Sequence, residues 1–539
     1  MSTSAAAARP MRLTLVAMTL ANSMILVDQT AVPLASPDVV RELGGGIDDG
    51  QWIMTANILP LAAFMVLGGR LGDLLGLRRV FLVGAVIFCA ATALAAAAQD
   101  MPWMISMRAL QGVGAAMMMP TAVAITSAVW PRERRGYALG ILAGASAFFA
   151  ALGPVLGGLL TSLDWRLVFV INVPLALLTI AITLNATPQL APDGERRRID
   201  WAGAVIFGLA VVGLVYGIAQ GQPEGWGSAA TLVPIALSAA MFALFVVVER
   251  RVAEPLIEFR LFRHANFLAS NISQLLAGMI ELGLGFLLPF FLLLVVGVGP
   301  ALAGIALIPG TLPIILAGPL AGRFFDRHGG RGPLVAGFAV LAASGIVLAV
   351  AVGSTSAVAL IPGLVLQGIG LGVVLTVNDP TGLNAVPERD RGVAAGMINT
   401  SEQMGGAIGI AALLAVELGI YYDQVFGRLR DAGIDPTDKQ VQEVHDFIVE
   451  AEQRGIEHVP QSGVVAKVFD DLMQAHIDAF QVMFVSSAGI AVAGAIACLV
   501  LVRRQPRELE GPVFGRRSRW LYANQGRSGA ITRRPPDTS

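Results

Sequence analysis

Five ionisable residues stand inside long apolar stretches of this chain: Asp28, Arg108, Glu281, Asp379 and Glu402. A charge at the centre of a bilayer costs at least about 2.5–3.5 kcal/mol, so an ionisable residue in such a stretch points to work rather than to solubility. The chemistry open to these groups is ion pairing, proton exchange and the holding of charged solutes. At about 1.5 Å per helical residue, Asp28 and Arg108 fall at similar depth in the same half of a bilayer, so they can pair. An arginine keeps its own proton but favours the charged form of a carboxylate beside it, and separating the two lets the carboxylate take up a proton. That is a device for coupling proton uptake to a change of shape; the alternative is a static structural ion pair. Glu281, Asp379 and Glu402 bring the acids facing the single arginine to four. Surplus carboxylates need protons or a cation, which biases a bound solute toward lipophilic cations, with protonated neutral acids as a second class. Asp379 sits in "NDP", which also reads as a local break near a helix end, and Glu417 reads as an interface residue.

The elements that position these groups follow from composition. The chain has 539 residues, 55% hydrophobic and 14% charged, against about 25% charged in ordinary soluble domains. Its mean hydropathy is +0.70. So much apolar surface cannot be buried in one aqueous core, and the class is all-α integral membrane protein. Fourteen stretches are long enough to cross a bilayer: 13–35, 52–70, 80–98, 103–129, 138–161, 167–185, 201–220, 229–249, 266–295, 300–321, 333–353, 357–386, 393–421 and 479–502. The first is too long for a signal peptide and contains Asp28. Arginines cluster in alternate loops, at Arg70, Arg78 and Arg79, at Arg132, Arg134 and Arg135, at Arg196–Arg198 and onward to Arg503 and Arg504. This predicts that both termini lie in the cytoplasm. Segment 422–478, which holds Lys439 and Lys467, then falls outside and reads as a pair of short helices. The organisation predicted is a cytoplasmic N-terminus (1–12), a six-helix bundle (13–185), a linker with two extra spans (186–264), a second six-helix bundle (265–502) and a disordered tail (503–539).

Two passages repeat. "GGRLGDLLGLRRVFLVG" (68–84) returns as "AGRFFDRHGGRGPLVAG" (321–337), matching Gly69, Arg70, Asp73 and Gly76 to Gly322, Arg323, Asp326 and Gly329. "LQGVGAAMMMP" (110–120) opens a second repeat with Gln111 and Gly112 matching Gln367 and Gly368. Duplicated halves with a binding site at their interface are a recurring plan of secondary transporters.

At these residues the sequence resembles the major facilitator superfamily, and within it the fourteen-span drug:proton antiporters of the EmrB/QacA type. Residues 68–84 are similar to the superfamily's loop 2–3 motif through Gly69, Leu71, Asp73, Gly76 and Arg78, while Leu74 and Leu77 depart from its usual basic residues. "LVDQTAVPLASP" resembles the first-helix signature through Asp28 and Thr30. "RALQGVGAAMMMP" resembles the fourth-helix motif through Arg108, Gln111, Gly112 and Gly114. "GASAFFAALGPVLGGLL" resembles the fifth-helix antiporter motif through Gly144, Gly153, Pro154, Gly157 and Gly158. The resemblance implies two pseudo-twofold six-helix bundles plus two central helices, and proton-coupled export of amphiphilic drugs by alternating access. It implies proton coupling at Asp28 and Arg108. Gln111 joins Glu281, Asp379 and Glu402 as a candidate for cargo or proton binding. Gly69, Arg70, Asp73, Gly76, Arg78 and Asp326 form a gate at the inner face, with Asp73 as its latch. The antiporter-motif glycines are expected to let helices approach closely. A dedicated exporter of a native metabolite (an antibiotic or siderophore), and a non-transporting sensor on the same scaffold, are the alternatives.

The implied partners are a small molecule, protons and the lipid bilayer, with no nucleic acid and a monomer as the working unit. No cofactor is expected, since no phosphate-binding loop is present to use ATP. No metal cluster is expected either: His264, His328, His445, His458 and His476 all fall outside the predicted spans. Cys89 and Cys498 read as small buried hydrophobes. Met117–Met119 read mainly as packing. Trp52, Trp103 and Trp165 fall at outer span ends, as an aromatic belt would place them. The expected location is the cytoplasmic membrane.

Overall fold

A computed structural model describes residues 2–45, 47–131, 134–189, 200–221, 225–252, 255, 257–387, 391–431 and 465–503. No strand occurs among them. Fourteen helices are long and apolar enough to span a membrane: α1 (Arg9–Leu43), α2 (Asp49–Gly72), α3 (Leu77–Ala96), α4 (Met101–Val129), α5 (Ala138–Thr161), α6 (Arg166–Ala186), α7 (Trp201–Ala219), α8 (Ala229–Glu249), α9 (Ala265–Val295), α10 (Pro300–Phe325), α11 (Arg331–Val352), α12 (Ile361–Leu383), α13 (Val393–Val425) and α14 (Met473–Leu501). Each of the fourteen predicted stretches coincides with one of them. Helix is the form in which a segment satisfies all its backbone groups without water.

The helices pair twice in one pattern. In the first half α1 packs on α5, α2 on α4 and α3 on α4; in the second α9 packs on α13, α10 on α12 and α11 on α12. The extra helices α7 and α8 pack on each other, and α7 lies against both α2 and α13. The two halves meet through α2 with α13, α5 with α10, and α1 with α9.

The charged passage at 68–84 is the tight turn between α2 and α3. Gly76 has φ 97°, and its counterpart Gly329, between α10 and α11, has φ 78°. Side chains rarely adopt such values, so glycine is required twice at the same place in the repeat. The arginines of the turns have defined partners. Arg78 donates to Leu184 O at 2.6 Å, and Arg331, its counterpart, to Leu499 O at 2.6 Å. Each therefore caps the C-terminal end of its own half's sixth helix, where unpaired carbonyls and the helix dipole favour a cation. Arg70 reaches the Pro255 carbonyl in the linker at 2.5 Å. The side chains of Asp73 and Asp326, on which the latch reading rests, lie outside the described residues. Gly76→Ala is expected to lower stability by about 1–3 kcal/mol through backbone strain alone, measured as an earlier thermal unfolding transition in detergent; an unchanged transition would mean the turn can relax.

Several expectations are corrected by the described residues. α12 runs unbroken through Asn378, Asp379 and Pro380, because Asn378 is held from α9 on both its main chain and its side chain. The segment 422–478 does not begin and end as separate short helices. α13's helix continues to Asp431 and α14's begins at Val465; residues 432–464 lie outside the described residues, as do the tail after Arg503 and the arginines at 132 and 196–198. His476 and Glu417 are interior residues of α14 and α13, both buried, with His476 Nε2 3.9 Å from Glu417 Oε1 and its ring edge-on to Tyr421. The early start of α14 carries His476 into the packed bundle, and the packing of α14 on α13 covers Glu417, which lies within its predicted span. Trp165 is likewise buried, donating to Glu42 Oε2 at 2.6 Å, whereas Trp103 is exposed as a belt residue would be.

Candidate functional site

Asp28 on α1 and Arg108 on α4 meet in the core of the first half. Gly112 makes this possible. A Cβ there would lie 2.1 Å from the Asn57 carbonyl oxygen, so only glycine lets α4 touch α2 at this level. The contact brings Arg108 Nε within 2.9 Å of Ile53 O. Arg108 Nη1 then donates to Asp28 Oδ2 and to Gln111 Oε1, both at 2.5 Å. Gln111 Nε2 donates back to Asp28 Oδ1 at 3.1 Å and to Thr92 Oγ1 at 2.9 Å. The Phe169 ring lies 5.8 Å from the guanidinium. Asp28 and Arg108 are 1% and 0% exposed, so the pair is fully desolvated. Gln111 bonds both charged partners and can keep the guanidinium occupied if the carboxylate is neutralised, while Arg108 Nη2 has no hydrogen-bond partner. Thr92 completes the network; an isolated threonine in an apolar helix carries no signal that would have found it.

A separate cavity of about 240 Å³ lies between the halves, lined from α1, α5, α9, α10, α12 and α13. Its walls are mainly leucine, with polar groups converging from both halves: Gln29 and Thr30 from the first, Glu281, Thr311, Gln367 and Glu402 from the second. A small apolar chamber with a few placed polar groups is the usual form of a small-molecule site. No arginine or lysine lines it among the described residues. Glu402 accepts from Gln274 Nε2. Gln274 is held in turn by Asn378 Nδ2, which donates to its Oε1 at 2.5 Å, and Ser273 donates to Asn378 Oδ1. Glu281 Oε2 has no hydrogen-bond partner. Gln29 Nε2 donates to Gln403 Oε1 at 3.1 Å, tying the residue after Asp28 to the residue after Glu402 across the two halves.

The structure thus groups Glu281 with Glu402 in the cavity, and Asp28 with Arg108 and Gln111 behind α1. Asp379 lines neither group's site: it is half-buried on α12 with Oδ1 unbonded, near enough to Glu402 for their charges to interact. Sequence reading missed Gln29, Gln274, Thr311, Asn378 and Gln403. For the four amides the available signal was an amide side chain inside a span, which carries a desolvation penalty like that of a charge on a smaller scale; Thr311 gave none.

The antiporter-motif helix forms one wall. Pro154 has no N–H, which leaves the Ala150 carbonyl without its helical donor. Thr30 Oγ1 of α1 lies 3.1 Å from it, within donating distance, as it also does from the Leu26 and Val27 carbonyls of its own helix at 3.0 and 3.2 Å. Gly153 makes the room, since a Cβ there would lie 1.8 Å from that hydroxyl. Thr311 of the other half donates to the next carbonyl, Ala151 O, at 3.1 Å. Gly157 lets α5 touch Ala31 of α1. Farther from the arginine-rich face, Gly158 packs on the Pro300 carbonyl and Gly304 on the Pro154 carbonyl; a Cβ on either glycine would lie 2.2 Å from the oxygen. Gly144 is exposed and has open space where a Cβ would go, so it takes no part in close packing, contrary to expectation. Ala138, Leu142 and Ser146 form the buried face of α5 at this level, and Gly144 lies on its outward side. Met118 is wholly buried in the first-half core, as packing required.

Comparisons with known proteins agree with this architecture. The sequence profile of the Major Facilitator Superfamily matches residues 17–410. The chain is 31% identical over 435 residues to the multidrug resistance protein Stp of Mycobacterium tuberculosis, covering 80% of this chain and 81% of that protein. It is 32% identical over 403 residues to the tetracenomycin C resistance and export protein of Streptomyces glaucescens, covering 74% of each. Among solved structures, it is similar in fold to a bacterial homolog of the human lysosomal transporter Spinster, in an inward-facing, unoccupied conformation. That similarity has a TM-score of 0.63 at 15% identity and covers 92% of this chain and 99% of the other.

Proposed function

Because this chain belongs to the Major Facilitator Superfamily and is an exporter of its drug- and antibiotic-resistance type, we propose that it expels amphiphilic cations in exchange for protons by alternating access. The observation that carries the cargo class is the cavity between the halves, where Glu281 and Glu402 face apolar walls with no basic residue among the described lining. A lipophilic cation satisfies both features. The observation that supports proton exchange is the desolvated Asp28–Arg108 pair, whose partner Gln111 can hold the arginine while the aspartate carries a proton. In this reading the arginine-rich face is cytoplasmic, the protein sits in the cytoplasmic membrane as a monomer, and no cofactor takes part.

Efflux of a monocationic dye from proteoliposomes under an imposed pH gradient tests the cargo class. Glu281→Gln/Glu402→Gln is expected to raise the KM for the cation about tenfold or more, the worth of one charge-assisted contact. A neutral amphiphile of similar size should be moved as before. Equal losses for both cargoes would remove the case for cation recognition.

A dedicated exporter of one native metabolite is the second reading. It is favoured by the likeness to a relative named for both resistance and export of tetracenomycin C. A narrow cargo range in the same assay would support it over multidrug export.

A further inference from the structure

At the arginine-rich face the helices α1 and α5 part, and a second recess of about 830 Å³ opens between them and the end of α4. It shares no lining residue with the central cavity. Its walls are apolar and open to the surroundings, with Val16 47% exposed and Phe149 37% exposed. Arg12 and Arg134 also line it, both exposed. Among the described residues neither makes an ion pair and no carboxylate lines the recess. The Thr19 hydroxyl lies on the α1 wall, buried and without a hydrogen-bond partner. Two unpaired guanidiniums and an apolar channel make a site for an amphiphile with an anionic head, opposite in charge to the site between the halves.

We propose that this recess holds an anionic phospholipid, its phosphate between Arg12 and Arg134 and an acyl chain along Val16 and Phe149. The bilayer supplies such a molecule at high local concentration, and basic recesses between spanning helices on the arginine-rich side are suited to lipid headgroups. A zwitterionic lipid would bring a cation against the same two arginines. Arginine adds to the fit, since its planar fork binds phosphate oxygens in pairs.

Native mass spectrometry of the full chain in detergent, titrated with phosphatidylglycerol or with phosphatidylcholine of the same acyl chains, tests this. The wild type is expected to retain one phosphatidylglycerol at concentrations where phosphatidylcholine is not retained. Arg12→Gln/Arg134→Gln should weaken retention about thirtyfold, two arginines' attraction for an anionic headgroup. Val16→Trp fills the recess without altering charge and should weaken it as well. Arg79→Gln/Arg263→Gln removes two arginines elsewhere in loops of the same face and should leave it unchanged. Equal retention of both lipids, equal loss in the Arg79/Arg263 control, or full competition by inorganic phosphate would each overturn the proposal. The first would mean an apolar recess only, the second general surface charge, and the third a free-anion site.

Discussion

Asp28→Asn is expected to stop proton-driven efflux and, by itself, to destabilise the protein by about 3–5 kcal/mol, the usual consequence of leaving one member of a buried ion pair unmatched. Arg108 is 0% exposed and has no other acid within reach among the described residues. The single variant therefore mixes two effects, and the double variant Asp28→Asn/Arg108→Gln separates them. With neither charge present, nothing charged remains to be desolvated, and Gln111 and Thr92 can still bond neutral amides. Thermal stability is expected to return close to wild type. Efflux is expected to stay at least tenfold below wild type, because no group at this site can exchange a proton. Recovery of efflux together with stability would show that the pair is structural, and the coupling role would be lost.

The second large effect is expected at the seam between α5 and α10. Gly158 and Gly304 each pack directly on a carbonyl oxygen of the opposite helix, which places the two halves in contact at the face away from the arginines. A transporter that alternates must break and remake this contact. Gly158→Val and Gly304→Val each force the seam apart, at about 1–3 kcal/mol by analogy with overpacked cores. A bias of that size shifts a two-state population by about 5- to 150-fold. The seam-open form should dominate, and efflux should fall at least tenfold while the protein remains folded. Spin labels at Leu163 and Leu302, both exposed near this seam, should report a longer distance in either variant. Normal efflux with an unchanged distance would remove the seam from the cycle.

The features visible in the sequence were those fixed by composition and by local covalent geometry. A run of apolar residues demands a helix in lipid whatever its neighbours, so all fourteen spans were legible. Gly76 and Gly329 were legible because a glycine that recurs at the same turn marks a backbone that side chains tolerate poorly, and both have positive φ. Asp28 and Arg108 were legible because charge in an apolar span is costly and their depths agree. What escaped was the choice of partners among uncharged groups. Nothing along the chain tells that Thr30 comes within reach of the carbonyl released by Pro154, that Thr311 reaches the next carbonyl from the other half, or that Gly144 faces open space while Gly153 does not. These depend on the angle at which helices cross. His476 was misplaced for a simpler reason: its helix begins before the apolar stretch, so hydropathy started after the bundle did. Glu417 lay inside a predicted span, and only the packing of α14 on α13 shows that it is buried rather than at an interface.

The arginine caps carry a historical consequence. Arg78 on Leu184 and Arg331 on Leu499 are the same bond made twice, by matched residues of two repeats, each within its own half. A contact shared in this way is most simply older than the duplication that produced the repeats. The ancestral unit then already closed its third helix onto its sixth, and had a finished bundle before it had a partner. What duplication added was the space between two such bundles. The ligand chamber is on this view the younger part of the molecule, free to diverge in its cargo while the bundles that frame it keep their inherited joinery.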